Sequence, residues 1–190
     1  MKSALICIDF INEIVSQEGK LAGKGYHDFV RAHDTLSRVA QAQRHFRAEG
    51  ELVIHVRLVF SLNYAEHSDR SVLLGKAREF GILQVGKWST EFPANVAPLE
   101  SDVILTKHRI SAFFGTSLDA ILRARGIEQV YIAGVATDLA VQSAARDAHD
   151  RDYGVTVLSD CCAAASDTDH DSSLTTLRKI ARVSLLSELQ

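Results

Sequence analysis

Three places in this chain combine residue types that do chemistry with a local pattern that would expose them. Asp9 ends the apolar run 5–8, and Lys107-His108 follows the predicted strand 102–105. The third place is the segment 132–148, Ile-Ala-Gly-Val-Ala-Thr-Asp-Leu-Ala-Val-Gln-Ser-Ala-Ala-Arg-Asp-Ala. There an apolar stretch (130–133) runs into a small-residue turn (134–136). Thr137 or Asp138 then stands where a side chain can cap the first turn of a helix. The third or fourth residue of such a helix points its side chain and N–H at whatever lies above the strand end. A thiol there would be acidified by the helix N-terminus and would be a strong nucleophile. Position 140 carries a methyl group instead.

If the strands are parallel, all three places open at one sheet edge. An Asp, a Lys and a helix N-terminus would then face one cleft, a charge-paired site with room for an oxyanion. From spacing alone, Asp9 also reads as a strand-end cap and Lys107 as a solvated side chain after a strand. The chain has three cysteines. Cys7 sits mid-strand and is expected in the core. Cys161 and Cys162 follow the fifth strand, and neither is expected to replace a nucleophile at position 140.

The elements that must position these residues alternate along the chain. Strands are predicted at 5–8, 52–60, 102–105, 130–133, 155–158 and 183–186. Helices are predicted at 29–48 (Phe29, Leu36, Val39, Ala40 and Phe46 at helical spacing, stopped by Gly50), at 116–125, from 138 to about 152, and within 169–180. Residues 61–100 hold Trp88, Pro93 and Pro98 in an excursion with one short helix at 71–80. So long an irregular stretch is more often functional than idle. Strand–helix alternation predicts a three-layer α/β/α sandwich around a six-stranded, mainly parallel sheet, with ligands beyond the carboxyl ends of the strands.

Composition narrows the class. The 190 residues are 46% hydrophobic and 24% charged, with net charge −3, pI near 6.2 and mean hydropathy +0.01. These values fit one domain spanning 1–190 and give no hint of nucleic-acid or membrane binding. No apolar run approaches the roughly 20 residues that span a bilayer. Two adjacent cysteines among three argue against a disulfide framework and fit a reducing cytoplasm.

At this point the residues resemble a family. Ile-Cys-Ile-Asp-Phe-Ile-Asn (6–12), Ile-Leu-Thr-Lys-His-Arg-Ile-Ser-Ala-Phe-Phe-Gly-Thr (104–116), Gly-Val-Ala-Thr-Asp-Leu-Ala-Val (134–141) and Ser-Asp-Cys-Cys-Ala-Ala (159–164) resemble the isochorismatase-like superfamily of hydrolases. That group includes nicotinamidases, N-carbamoyl amidohydrolases and ureide hydrolases. The pieces come in family order and span nearly the whole chain. The resemblance implies an Asp–Lys–Cys triad, of which Asp9 and Lys107 match while Ala140 stands at the cysteine. It also implies a turn with a cis Val135–Ala136 peptide, whose Ala136 and Ala140 N–H groups would hold an oxyanion. A backbone N–H survives the exchange of Cys for Ala. A homo-oligomer, dimer or tetramer, is implied as well.

Ala140 admits three readings: a disabled cysteine hydrolase of a small amide or ureide, a natural cysteine-free hydrolase of isochorismatase type with Asp9 as general acid, or a binding protein without chemistry. Nicotinamidases in the superfamily hold a divalent ion with an Asp-x-His pair and a further His. Here only His55 remains, followed by Arg57, and Glu66-His67-x-Asp69 reads as a polar loop. A site without metal or other cofactor is therefore expected. The pocket lining is expected to draw on Phe10, Asn12, Tyr64, Trp88 and Phe114 (or its neighbour Phe113), an aromatic cleft suited to a small, flat substrate.

Overall fold

The structure, a computed structural model, describes residues 2–189. Six strands form one all-parallel sheet: β1 (Ser3–Ile8), β2 (Leu52–Leu58), β3 (Val103–Lys107), β4 (Gln129–Val135), β5 (Gly154–Ala163) and β6 (Arg182–Ser184), in the order β3-β2-β1-β4-β5-β6. Strand β1 is buried at every position, as expected for a central strand covered on both faces. Its side chains alternate between two cores. Leu5 and Cys7 join one with Phe29, Val39 and Phe46, while Ala4, Ile6 and Ile8 join the other with Leu122, Ala144 and Leu177. The sandwich has the three layers that the alternation predicts.

The helices are α1 (Asn12–Val15), α2 (Tyr26–Ala32), α3 (Thr35–Ala48), α4 (Ala77–Phe80), α5 (Leu118–Arg125), α6 (Gln142–His149) and α7 (Asp167–Leu177). Helices α2 and α3 cover the first face, and α5, α6 and α7 the second. No helix among the described residues is long and apolar enough to cross a membrane.

Several boundaries differ from the sequence expectation for identifiable reasons. The predicted helix 29–48 is two helices, because Asp34 adopts a left-handed conformation (φ 52°) that Asp tolerates better than most residues. Strand β2 stops at Leu58, and Phe60 forms only an isolated bridge with Gln84. Strand β5 runs on to Ala163 past the predicted stop at 158. Its register against β4 shifts between Ile132 and Gly134, and Asp160 is held by the Arg38 guanidinium and the Leu186 N–H. Cys161 and Cys162 therefore lie inside a strand, buried and free of disulfides. The excursion contains α4 and two 3-10 turns, 88–90 and 94–96.

Candidate active site

The sheet order reverses between β1 and β4, and in open parallel sheets ligands bind in the crevice at such a point. Asp9 follows β1 there, Lys107 ends β3, and residues 136–141 follow β4. Asp9 takes φ 61°, which turns the chain abruptly out of the sheet. Its N–H donates to Val56 O at 2.8 Å, and its Oδ1 accepts the Leu58 N–H at 2.8 Å. Lys107 Nζ lies 2.7 Å from Asp9 Oδ2 and donates to Ile110 O at 2.6 Å. Both side chains are almost fully buried. Burial pushes the Asp9 carboxyl above its ordinary value, against the pull of the Lys107 ammonium and the Leu58 N–H.

The segment after β4 differs in detail from the capped helix expected. Thr137–Val141 forms a π turn, and regular α6 begins only at Gln142. The Val135–Ala136 peptide is cis, and Ala136 O accepts the N–H groups of Leu139 and Val141 at 3.2 and 3.1 Å. Neither candidate cap acts as one. Thr137 Oγ1 lies 2.9 Å from His170 Nδ1, and Asp138 Oδ1 is buried without a hydrogen-bond partner.

Asp9, Lys107, Ala136 and Ala140 line one cavity of about 490 Å³, together with Val135, Leu139 and Ile110. Gly134 sets how closely its two sides approach. A Cβ there would lie 3.0 Å from both Ile8 Cβ and Val141 Cγ2, and 3.1 Å from Ile8 O. Ile8 precedes Asp9 and Val141 follows Ala140, so a side chain at 134 would wedge β1 away from the turn. Gly134→Ala is expected to cost about 1–3 kcal/mol of stability through overpacking. Urea unfolding measures it; an unchanged midpoint would mean that the two elements yield freely.

None of the five side chains expected to line the pocket does so. Phe10 points into the core beside α3, because the left-handed turn at Asp9 directs it inward. Asn12 is buried, donates from Nδ2 to Trp88 O at 2.9 Å and accepts from Ser16 Oγ at 2.8 Å. Tyr64 donates its hydroxyl to Ile82 O at 2.9 Å and so stands behind a lining residue. Trp88 and Phe114 are more than half exposed, outside the cavity, and Phe113 is core. The walls come instead from residues 20–26 and from Leu73–Ile82, the latter within the long excursion. Sequence reasoning flagged the excursion as functional but not its aliphatic residues.

His55 lies away from this cavity, with Nε2 3.2 Å from Asp102 Oδ2, and Arg47 binds the same carboxylate. His67 and Glu66 are committed within their loop, to Leu74 O and to Ser61. No group of metal-ligating side chains assembles among the described residues.

Residues 3–188 match the Isochorismatase domain model. The chain belongs to the isochorismatase family. It is 33% identical to the isochorismatase family protein YecD of Escherichia coli O157:H7, over 98% of this chain and 94% of that protein. It is 32% identical to the ureidoacrylate amidohydrolase RutB of Variovorax paradoxus (strain S110), over 83% of this chain and 67% of that one. Among solved structures, N-carbamoylsarcosine amidase from Thermoplasma acidophilum superposes with a TM-score of 0.78 at 29% identity, covering 100% of this chain and 99% of that one. This isochorismatase-family hydrolase therefore has amidohydrolase relatives on two independent comparisons.

Proposed function

We propose that this protein is built to hydrolyse a small amide or ureido C–N bond. Ala140 occupies the position of the attacking side chain, so the chain as it stands binds substrate without turning it over. The observation that carries the reading is the buried Asp9–Lys107 pair in the same cavity as the Ala140 methyl. Two relatives named for ureidoacrylate and N-carbamoylsarcosine hydrolysis support the substrate class. In the working version of such a site, Asp9 takes the proton from a thiol at position 140. The sulfur then attacks the carbonyl carbon, and the oxyanion rests on the Ala136 and Ala140 N–H groups. Asp9 returns the proton to the leaving nitrogen as the C–N bond breaks, and water releases the acyl group. Lys107 keeps the Asp9 carboxylate in place and charged when needed. No metal or cofactor enters the scheme.

A second reading is favoured by the raised Asp9 carboxyl. A carboxyl whose hold on its proton burial strengthens suits a general acid, which is what a cysteine-free hydrolase of isochorismatase type needs. One experiment separates the two. A panel of small amides, ureides and isochorismate is offered to the chain as it stands and to Ala140→Cys. Turnover of an amide or ureide only by the variant supports the first reading; turnover by the parent supports the second. Ligand binding with no turnover by either leaves a binding protein.

The reading also carries a dimer or tetramer. Large apolar side chains stand exposed at Val72, Leu73, Phe80, Trp88 and Phe114. Sedimentation as a monomer at micromolar concentration would remove this part of the proposal.

A further inference from the structure

The π turn that carries Ala140 is fastened at its start by a side chain from far along the sequence. Thr137 is wholly buried, and a buried hydroxyl needs a partner. At such a place a Thr hydroxyl ordinarily caps the N–H groups of its own turn, but Ala136 O has taken those of Leu139 and Val141. Thr137 Oγ1 instead meets His170 Nδ1 at 2.9 Å, across 33 residues of chain. Neither Thr137 nor His170 lines the cavity, so this bond acts on the site through the backbone of the turn.

His170 stands on a firm post. It lies in the first turn of α7, where Ser166 Oγ caps the helix by accepting the Asp169 N–H at 3.2 Å. His33, just after α2, places Nε2 2.8 Å from Asp167 Oδ1 in that turn. Phe29 of α2 packs against both imidazoles, its ring centroid 4.1 Å from that of His33 and 5.1 Å from that of His170. Burial pushes the His170 ring below its ordinary value and His33 adds to it, while Asp171 and Asp167 pull the other way. At neutral pH the ring is thus an uncharged partner, able to accept from the hydroxyl or donate to it.

We propose that His170 is a positioning residue for the oxyanion site, fixing through Thr137 the turn that aims the Ala136 and Ala140 N–H groups at the cavity. Ala136 directly precedes Thr137, and Ala140 lies within the same π turn, so a shift of the Thr137 backbone moves both donors. Donors held in place before charge develops are the effective ones. This inference rests on the reading of the turn as an oxyanion site, and it adds what holds that turn.

The test reads the turn without any substrate, since N–H groups that would hold an oxyanion also stabilise a thiolate. Ala140→Cys is alkylated with iodoacetamide over a range of pH, and the rate profile gives the ionisation constant of the new thiol. On that background, Thr137→Val keeps the side-chain shape and His170→Phe keeps a ring against Phe29. Each is expected to lower the constant about 3- to 10-fold. The double variant is expected to match either single one, because the same bond is lost in all three. His170→Asn, whose amide can reach the place of Nδ1, is expected to stay near the value of the Ala140→Cys parent. Urea unfolding of the same proteins separates this role from a merely structural one. An unchanged thiol constant, whatever stability does, would overturn the proposal. So would two single effects that add, or a His170→Asn variant that behaves like His170→Phe. If His170→Phe does not fold, Thr137→Val and His170→Asn still decide the matter. Should the constants move as stated while Ala140→Cys hydrolyses no amide or ureide, the hydrolase reading falls and the role of His170 stands. Where Ala140→Cys does hydrolyse one, His170→Phe is expected to lower kcat about 10-fold with KM nearly unchanged.

Discussion

Ala140→Cys is expected to raise hydrolysis of the best amide or ureide in a panel by on the order of 10⁴- to 10⁶-fold, the scale on which loss of a nucleophile silences an enzyme. The position is suited to a thiolate on three counts. It lies in the π turn that leads into α6, where free N–H groups favour negative charge. It shares its cavity with the Lys107 ammonium and with Asp9, a base whose carboxyl burial has pushed upward. And it lines the cavity, which gives an added sulfur room to enter. The native cysteines lack all three features. Burial pushes Cys7 and Cys162 up to about 12 and raises Cys161 as well, and none of them lines the cavity. Alkylation by iodoacetamide at neutral pH should therefore be slow in the parent and fast at one site in the variant. Adding Asp9→Asn to the variant should return hydrolysis to the parent level. A folded Ala140→Cys protein that alkylates rapidly yet hydrolyses no amide or ureide would exclude the amidohydrolase reading.

Much of this site was legible in the sequence, because its polar parts are local events at strand ends. A buried strand running into Asp9, another running into Lys107, and a small-residue turn after β4 each announce themselves within a dozen residues. Parallel topology then brings them to one edge without further information. The pocket wall was not legible in this way. Phe10 sits next to Asp9 in sequence, but a positive φ at Asp9 sends its ring into the core, and no residue type advertises that turn in advance. Leu21, Leu73, Leu74 and Ile82 lie in segments without periodicity. What gathers them is long-range: the Lys20 bond to Phe80 O and the Tyr64 bond to Ile82 O span 60 and 18 residues. The aromatic residues chosen as pocket formers were not the ones at the wall, which takes Tyr26 and Phe80 together with aliphatic residues placed by such ties. The continuation of β5 past Asp160 has the same origin, since Asp160 is held by Arg38 and Leu186, distant in the chain.

Lys107→Met is expected to destabilise the fold by about 3–5 kcal/mol at pH 7–8, the usual cost of leaving one member of a buried ion pair alone. Against a total stability of about 5–15 kcal/mol this is a large fraction. The loss should depend on pH, with a sign opposite to that of a surface carboxylate. In the folded protein burial raises the Asp9 carboxyl above its unfolded value of 3.8, and removing the Lys107 attraction leaves burial less opposed. Between the unfolded and folded values, the folded state holds a proton that the unfolded chain has released. Stability therefore falls as pH rises through that window, and the proton-linked part of the loss disappears below the unfolded value. Urea unfolding from pH 4.5 to 8 should show the variant losing ground steadily relative to the Asp9→Asn, Lys107→Met double variant, which has no charge left to bury at this place. The comparison between those two proteins cancels every other titrating group. If their difference is flat across the range, Asp9 is ionised throughout even without its partner. The carboxylate would then be held by the Leu58 N–H and by solvent in the cavity, and its value as a proton carrier would lie with the groups that enter with the substrate.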